Sequence, residues 1–327
     1  MELIRGLHNL RPHHRGCVMT IGNYDGVHRG HEAVLRHLHA RGRELGLPSL
    51  AMIFEPLPAE FFAPEAAPPR LSSLREKLQD LRAAGVDRVL CVRFDSRLAS
   101  MAAEAFVERI MVEGLGARFV VVGDDFRFGR GREGDFTLLQ RLGARHGFEV
   151  AHLPSFTLGP QRVSSTRIRS ALAQGDMRSA AAMLGRPYRV SACVRRGKAL
   201  GRTLGYPTAN LCLSRKVAAR FGVYAVMVEG VHDKLRPGLA SLGTRPTVNG
   251  EGVLLEVNLL DFEGDLYGRR LGVALLEFLR PEERFTSLEA LVAEMRRDER
   301  RARAFFERFE AGASNALREL ALDMQGN

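Results

Sequence analysis

The sequence predicts an α/β chain in two parts: an N-terminal Rossmann-like parallel sheet with helices on both faces, then a small antiparallel β-barrel with a long C-terminal helix. Three observations carry this reading. Between Cys17 and Leu153, short apolar runs alternate with amphipathic stretches, the pattern of a parallel sheet covered by crossover helices. After Pro187 the runs follow one another with only Gly and Pro turns between them, as in a small barrel. From Ser287 to about Glu310, Leu288, Leu291, Met295, Ala302 and Phe305 recur at helical spacing. The boundary is expected near 185, giving domains 1–185 and 186–327.

In order, the N-terminal strands are CVMTIG (17–22), LAMIFE (50–55), RVLCVRF (88–94), FVVVGD (119–124) and FEVAHLP (148–154). Each is nearly all apolar or β-branched, as a strand buried on both faces must be. GHEAVLRHLHARGREL, SLREKLQDLRAAG, AAEAFVERIMVEGLG and DFTLLQRLGARHG are the helices between them, and AAPPRLSS (66–73) is a Pro-rich loop. STRIRSALAQGDMRSAAAMLG predicts two short helices ending at Gly185, after which Pro187 breaks the helix. The later strands are YRVSACVRRG, GVYAVMVEG, LRPGLASLG, VLLEVNLLDF and RRLGVALLEFLR.

The totals narrow the function classes. A length of 327 residues suits two domains, and 45% apolar content suffices for sizeable cores. No run approaches the ~18 apolar residues of a membrane span, and MELIRGLHNL does not read as a secretory signal. Four scattered cysteines without a CxxC pair fit a reduced, cytoplasmic protein. The net charge of +10 suits polyanions or small phosphorylated ligands, or simply an arginine-rich surface. With no Trp, five Tyr and no basic cluster, the chain lacks the stacking platforms of a nucleic-acid binder.

The first chemical constellation follows the first strand. Gly22, Gly26 and Gly30, with Asn23 and Asp25 in the same turn, let backbone N–H groups approach a phosphate at a helix start. His28 and His31 lie one helical turn apart as H-x-G-H, the nucleotide-phosphate arrangement of nucleotidylyltransferases, where imidazoles steady charge on the transferred phosphate. The alternatives are two helix-start histidines of no consequence, or a zinc site, for which no third ligand stands at metal spacing. A second phosphate grip is expected at Ser164, Ser165 and Thr166, which precede a helix carrying Arg167 and Arg169. Phe54, Pro56, Pro58 and Phe62 line the loop after the second strand and suit a flat fused ring, though such a loop can also pack on its own domain. Asp125, Arg127 and Phe128 follow the fourth strand, at the same carboxyl edge.

In the second half, Gly197, Gly201 and Gly205 suit a phosphate-covering flap, and Thr208 and Asn210 are hard oxygen donors on one side of an extended segment. This is no Walker motif, and a Gly-rich turn before a Pro-capped strand is the plainer alternative.

GNYDGVHRGH, FEPLPAEFF, GDDFRFG and RVSSTRIR, followed by PTAN (207–210), GVY (222–224), SLGTRPTV (241–248) and LEVNLLDFEGDLYG (255–268), resemble the prokaryotic bifunctional riboflavin kinase/FAD synthetase family from about residue 15 to 310. The resemblance implies two reactions: MgATP phosphorylates riboflavin to FMN at the C-terminal domain, and a second MgATP adenylylates FMN to FAD and pyrophosphate at the N-terminal one. It makes Glu256 the base on the ribityl hydroxyl, Thr208 and Asn210 the holders of Mg²⁺ and phosphates, and His28 and His31 the groups that neutralise the adenylyl transition state. Ser164, Ser165 and Arg169 then hold the leaving triphosphate, while Phe54, Pro56, Pro58, Phe62, Asp125 and Phe128 meet the flavin. The implied partners are ATP, riboflavin and FMN, with no nucleic acid or membrane, and a monomer suffices. The chain departs from the pattern at Asn258, where His is frequent, at Ala192 and Cys193, where Gly-Arg is common, and at Asp125, where some members carry Asn. A rival reading is a single adenylyltransferase for another phosphorylated substrate, with a regulatory barrel.

Overall fold

A computed structural model describes residues 1–197, 205–232, 234–247 and 250–311, without the side chains of 245–251, 310 and 311. The chain forms two compact units, Met1–Pro68 with Leu74–Ser164, and Pro69–Ser73 with Ser165 onward. Contacts thus divide the chain some twenty residues before the composition changes near 185. The pair of helices between packs with the barrel that follows.

The first unit is a six-stranded, wholly parallel sheet built from β1 (Glu2–Arg5), β2 (Cys17–Ile21), β3 (Ser49–Glu55), β4 (Arg88–Arg93), β5 (Ala117–Gly123) and β6 (Glu149–Leu153), in the order β1-β4-β3-β2-β5-β6. Alternation decides the two cores. Cys17, Met19, Leu50, Met52, Leu90, Val120 and Val122 face one side, under Phe106, Ile110 and Leu139. Val18, Ala51, Ile53, Val89 and Val121 face the other, under Leu35 and Leu38 of α1 (Arg29–Leu45) and Leu81 of α3 (Leu74–Ala83). The chain runs outward from β2 through β3 to β4, and in the other direction from β5 to β6. The topology therefore reverses between β2 and β5, and the ligand crevice of such a sheet lies at their carboxyl ends.

Two elements were not expected. β1 pairs with β4 at one edge, where the Glu2 carboxylate meets His14 Nε2 at 2.9 Å and Arg88 Nε at 3.4 Å. β7 (Thr157–Leu158) and β8 (Gln161–Arg162) form a small hairpin. Both consist of strands too short for a periodicity to register.

The second unit is a closed antiparallel barrel, β10-β13-β12-β11-β14-β9, formed by β9 (Tyr188–Arg195), β10 (Ala209–Leu213), β11 (Gly222–Val231), β12 (Lys234–Thr247), β13 (Gly250–Leu259) and β14 (Arg270–Pro281). Alternate residues such as Val190, Leu211, Val226, Leu242, Leu255 and Val273 fill one core. Ala192 joins them, so this departure is a core side chain. α7 (Ser165–Gln174) packs on α8 (Met177–Leu184), which ends at left-handed Gly185 and lies on β9 and β14. α9 (Leu288–Ala311) has the Ser287 hydroxyl accepting the Ala290 N–H at its start, and it lays Ala302 and Phe306 on Val223, Ala225 and Leu239 outside the barrel. Parallel sheet, closed barrel and C-terminal helix all stand as the sequence predicts.

Candidate active sites

β2 delivers the chain from Ile21 into a tight turn at the switch point. The turn is shaped by left-handed residues at Tyr24 (φ 47°), Gly26 (φ 88°) and Val27 (φ 35°). The buried Tyr24 hydroxyl is hydrogen-bonded to Thr20 Oγ1 at 2.8 Å, and burial drives its pKa far above the ordinary phenol value. The turn ends in a reciprocal cap. The His28 N–H donates to His31 Nδ1 and the His31 N–H donates to His28 Nδ1, both at 3.3 Å. The rings stack with centroids 3.7 Å apart and planes 14° apart. An Nδ1 that accepts a backbone N–H carries no proton, so each neutral imidazole is the Nε2–H tautomer and presents a donor at its far nitrogen. A Cβ at Gly30 would sit 3.1 Å from the His28 ring, a tight contact that would press on the stacked pair. Asp25 is buried and Asn23 exposed.

At the carboxyl end of β5, Asp124 accepts the Ser155 hydroxyl at 2.6 Å, and Arg162 on β8 reaches Asp124 at 3.4 Å and Asp125 at 2.9 Å. The Ser155 bond, helped by Arg162, holds the Asp124 carboxyl below its usual range. The hairpin continues to Val163, whose N–H donates to Phe156 O at 2.8 Å, and Phe156 itself lies against the Gly30 backbone.

At the end of β3, Pro56 follows a cis peptide and Pro58 opens α2 (Pro58–Phe62). Phe54, Phe61 and Phe62 each meet Phe94 edge-on, at 5.4 to 5.7 Å between centroids, and Phe62 is 67% exposed. Phe61 and Phe94 were not expected here. Phe61 lies inside FEPLPAEFF, next to Phe62, and Phe94 ends the predicted strand RVLCVRF. Phe128, expected at the flavin, is 6% exposed, stacked on Phe126 at 5.4 Å and beside Phe106 in the core. Its neighbour Phe126 is the half-buried ring.

The expected second grip is divided. Ser164 closes the first unit, whereas Ser165, Thr166 and Arg169 open the second, where Arg169 Nε donates to Pro69 O at 2.7 Å.

On the barrel, direct cross-strand pairing sets Arg195, Asn210, Glu256 and Ser241 in one row across β9, β10, β13 and β12. Their neighbours Leu211, Leu255 and Leu242 point into the core, so the row lies on the outer face. Asn210 is buried and Glu256 exposed. A Cβ on Gly197 would fall 2.5 Å from Asn210 Nδ2, so that glycine makes room for the amide. Asn210 Nδ2 leans back to Thr208 O at 3.4 Å. Gly205 takes a left-handed φ of 82°, and Gly201 lies outside the described residues. Beside the row, a cavity of about 320 Å³ is lined by barrel residues Val194, Ala209 and Val257, by Pro207 and Thr208 at its rim, and by Phe262 and Tyr267 from the loop after β13. Arg196 lies over the Tyr267 ring at 5.8 Å. Asn258 Nδ2 donates to Pro207 O at 2.8 Å, and the Tyr206 hydroxyl donates to Glu299 at 3.1 Å. Tyr206, Phe262 and Tyr267 flank or fall within motifs legible in the sequence, but nothing there joins Tyr206 to Glu299.

The donor set also bears on metals. Thr208, Asn210 and Glu256 offer hard oxygen atoms, a set that fits Mg²⁺ and a nucleotide's phosphates. Among the described residues, the one cluster of metal-ligand types is Glu2, His13 and His14. There His14 Nδ1 accepts the Arg11 N–H, which puts the ring proton on the nitrogen facing Glu2 and makes that contact a hydrogen bond.

Comparison with known proteins agrees with this division. The FAD synthetase family model matches residues 10–167 and the riboflavin kinase family model matches residues 184–306. The bifunctional riboflavin kinase/FMN adenylyltransferase of Escherichia coli K12 is 52% identical over 307 residues, 94% of this chain and 98% of that protein. That of Pseudomonas fluorescens is 52% identical over 93% of this chain and 97% of its own. A crystal structure described as the macrolide-efflux protein of Streptococcus pneumoniae superposes with TM-score 0.81 at 30% identity, covering 93% of this chain and 99% of that one. No helix among the described residues is long and apolar enough to cross a membrane.

Proposed function

This chain belongs to the bifunctional riboflavin kinase/FMN adenylyltransferases, making FMN from riboflavin and FAD from FMN, and we propose that the two reactions use the residues gathered above. The observation that carries the assignment is the direct pairing of Asn210 with Glu256 beside a nucleotide-sized cavity.

In the kinase step, at the domain 186–327, the adenine enters the cavity between Val194 and Tyr267. Thr208 and Asn210 hold the phosphates and Mg²⁺, and Gly197, Gly201 and Gly205 belong to the covering flap. When bound, Mg²⁺ supplies charge neutralisation across the transferring phosphates. Glu256 takes the proton of the riboflavin 5′-hydroxyl as its oxygen attacks the γ-phosphorus, the bond to the β-phosphate oxygen breaks, and ADP leaves.

The adenylyl step belongs to the domain 1–185. The FMN phosphate is largely ionised at pH 7, its second pKa being about 6, so it attacks the α-phosphorus without a protein base, and pyrophosphate leaves. The two Nε2–H donors of His28 and His31 meet the charge that develops on the α-phosphate. Gly22, Asn23, Asp25 and Gly30 shape the phosphate turn, and Ser164 follows the hairpin beside it. Ser165, Thr166 and Arg169 keep the phosphate role that RVSSTRIR implies. Phe54, Pro56, Pro58 and Phe62 offer aromatic and rigid surface to the isoalloxazine, with Asp125 at the neighbouring edge and Phe128 supporting Phe126 from below. Four free cysteines suit a reducing compartment. We place the enzyme in the cytoplasm, as a monomer with small-molecule partners and neither nucleic acid nor membrane.

The test is incubation with riboflavin, ATP and Mg²⁺, with flavins separated by chromatography. Glu256→Gln is expected to stop FMN formation while supplied FMN is still converted to FAD, and His28→Ala to do the reverse. If either variant lost both activities while folded, the division would be wrong.

A further inference from the structure

We propose that Asn258 is a positioning residue for the kinase step: its amide pins the Pro207 carbonyl and thereby fixes Thr208 and Asn210 in register with Glu256. The inference rests on the kinase site assigned above.

The ladder between β10 and β13 pairs Asn210 with Glu256 and ends at the pair Ala209–Val257. Continued by one step, that register would set Thr208 opposite Asn258. Backbone pairing has stopped there, at the residue that follows Pro207. Proline has no N–H, so its carbonyl is its one backbone handle. Asn258 Nδ2 takes that handle at 2.8 Å. A side-chain bond therefore continues the ladder where the backbone has left it.

The placement is economical. Glu256 and Asn258 stand two residues apart on one strand, so they share a face at roughly 7 Å along it. Between them Val257, and beyond them Leu259, line the nucleotide cavity, while Pro207 and Thr208 form its rim. One strand thus holds the base, the cavity wall and the pin on the opposite rim. The preceding residue is tethered independently, through Tyr206 to Glu299 on α9. With Tyr206 and Pro207 both held and Asn210 in the ladder beyond, Thr208 has little freedom to drift from Glu256. The departure from His at position 258 keeps an N–H donor, which is the property the pin needs.

The experiment measures kinase kinetics in the full-length chain for Asn258→Ala, Asn258→His, Glu256→Gln and the wild type, varying MgATP and riboflavin separately. FMN adenylylation and a thermal melt serve as controls. A misplacement near 1 Å costs on the order of 100-fold, so Asn258→Ala is expected to lower kinase kcat/KM for MgATP by about 10-fold to 100-fold. KM for MgATP should rise and adenylylation should keep its wild-type rate. Asn258→His should recover most of the loss. Unchanged MgATP kinetics in Asn258→Ala, beside an inactive Glu256→Gln, would overturn the pin and leave the site assignment standing. An active Glu256→Gln would overturn the site itself. A loss of adenylylation and melting temperature equal to the kinase loss, or a His variant as impaired as the Ala variant, would reduce Asn258 to a structural residue.

Discussion

His28 and His31 cap one another: each Nδ1 accepts the other's backbone N–H at 3.3 Å, and the stacked rings lie 3.7 Å apart. The capping that starts α1 also fixes which ring nitrogen bears the proton. Fold and chemistry are set by one contact, and variants can separate them.

His28→Asn keeps a side chain that caps a helix well and removes the imidazole donor. FAD formation from FMN is expected to fall by about 100-fold to 1000-fold, the scale of losing one transition-state donor. Kinase activity should persist, and the unfolding free energy should move by only a few tenths of a kcal/mol. A parallel drop in both activities would mean that the residue acts through the fold.

Gly197→Ala would place a methyl 2.5 Å from the buried Asn210 amide, so the amide would have to shift. The expected result is impaired FMN formation, by about 10-fold or more, from a displaced Asn210. Isothermal titration with MgATP should show weaker binding, and adenylylation of supplied FMN should be untouched.

Arg280 and Asp298 form a buried bidentate pair between β14 and α9, with Nε and Nη2 at 3.0 and 2.8 Å from Asp298 Oδ2. Asp298→Ala leaves the guanidinium with Glu294 at 3.8 Å and the Pro281 carbonyl at 3.0 Å. Chemical denaturation of the barrel should show a loss of about 3 kcal/mol. A loss under about 1 kcal/mol, the worth of an exposed pair, would show that water reaches this contact.

The hairpin latch carries a pH dependence of known sign. Asp124 is held below its ordinary value of 3.8, chiefly by Ser155. A carboxylate depressed in the folded state stabilises above its unfolded pKa, and the benefit is lost as pH falls through the folded value. Amide exchange at Val163 should therefore stay slow through neutral pH, after correction for intrinsic rates. Its protection should drop only below pH 3.8, and in Ser155→Ala the drop should begin at higher pH. Protection lost well above pH 4 would contradict the latch.

The sheet, the barrel and α9 were legible because each rests on a long period: apolar runs, alternation, or helical spacing over twenty residues. β1 and the β7–β8 hairpin were not, because four- and two-residue strands carry no period and are tied to distant partners, Glu2 to Arg88 and Arg162 to Asp124 and Asp125. The tight turn before α1 and its paired histidines were legible from Gly and His spacing alone. The wall of the barrel cavity was only half so, since Phe262 and Tyr267 sit in a quoted motif while Val194 comes from another strand. The burial of Phe128 was not legible either: a phenylalanine in a polar loop gives no sign that Phe106 and Phe126 close over it. Tyr206 and Glu299, far apart in the chain, meet only because α9 folds back on the barrel.

β13 also imposes an arithmetic on this enzyme's tolerance to change. Its odd and even positions serve two masters, the oily interior through Leu255 and Val257, and the outer face, where the kinase chemistry is proposed, through Glu256 and Asn258. A single inserted or deleted codon between Leu254 and Glu256 would exchange those audiences at one stroke, turning a carboxylate into the core and a leucine toward solvent. Substitutions along this strand can be absorbed one by one. A frame of two cannot be shifted by one, so length variation should be confined to the turns on either side.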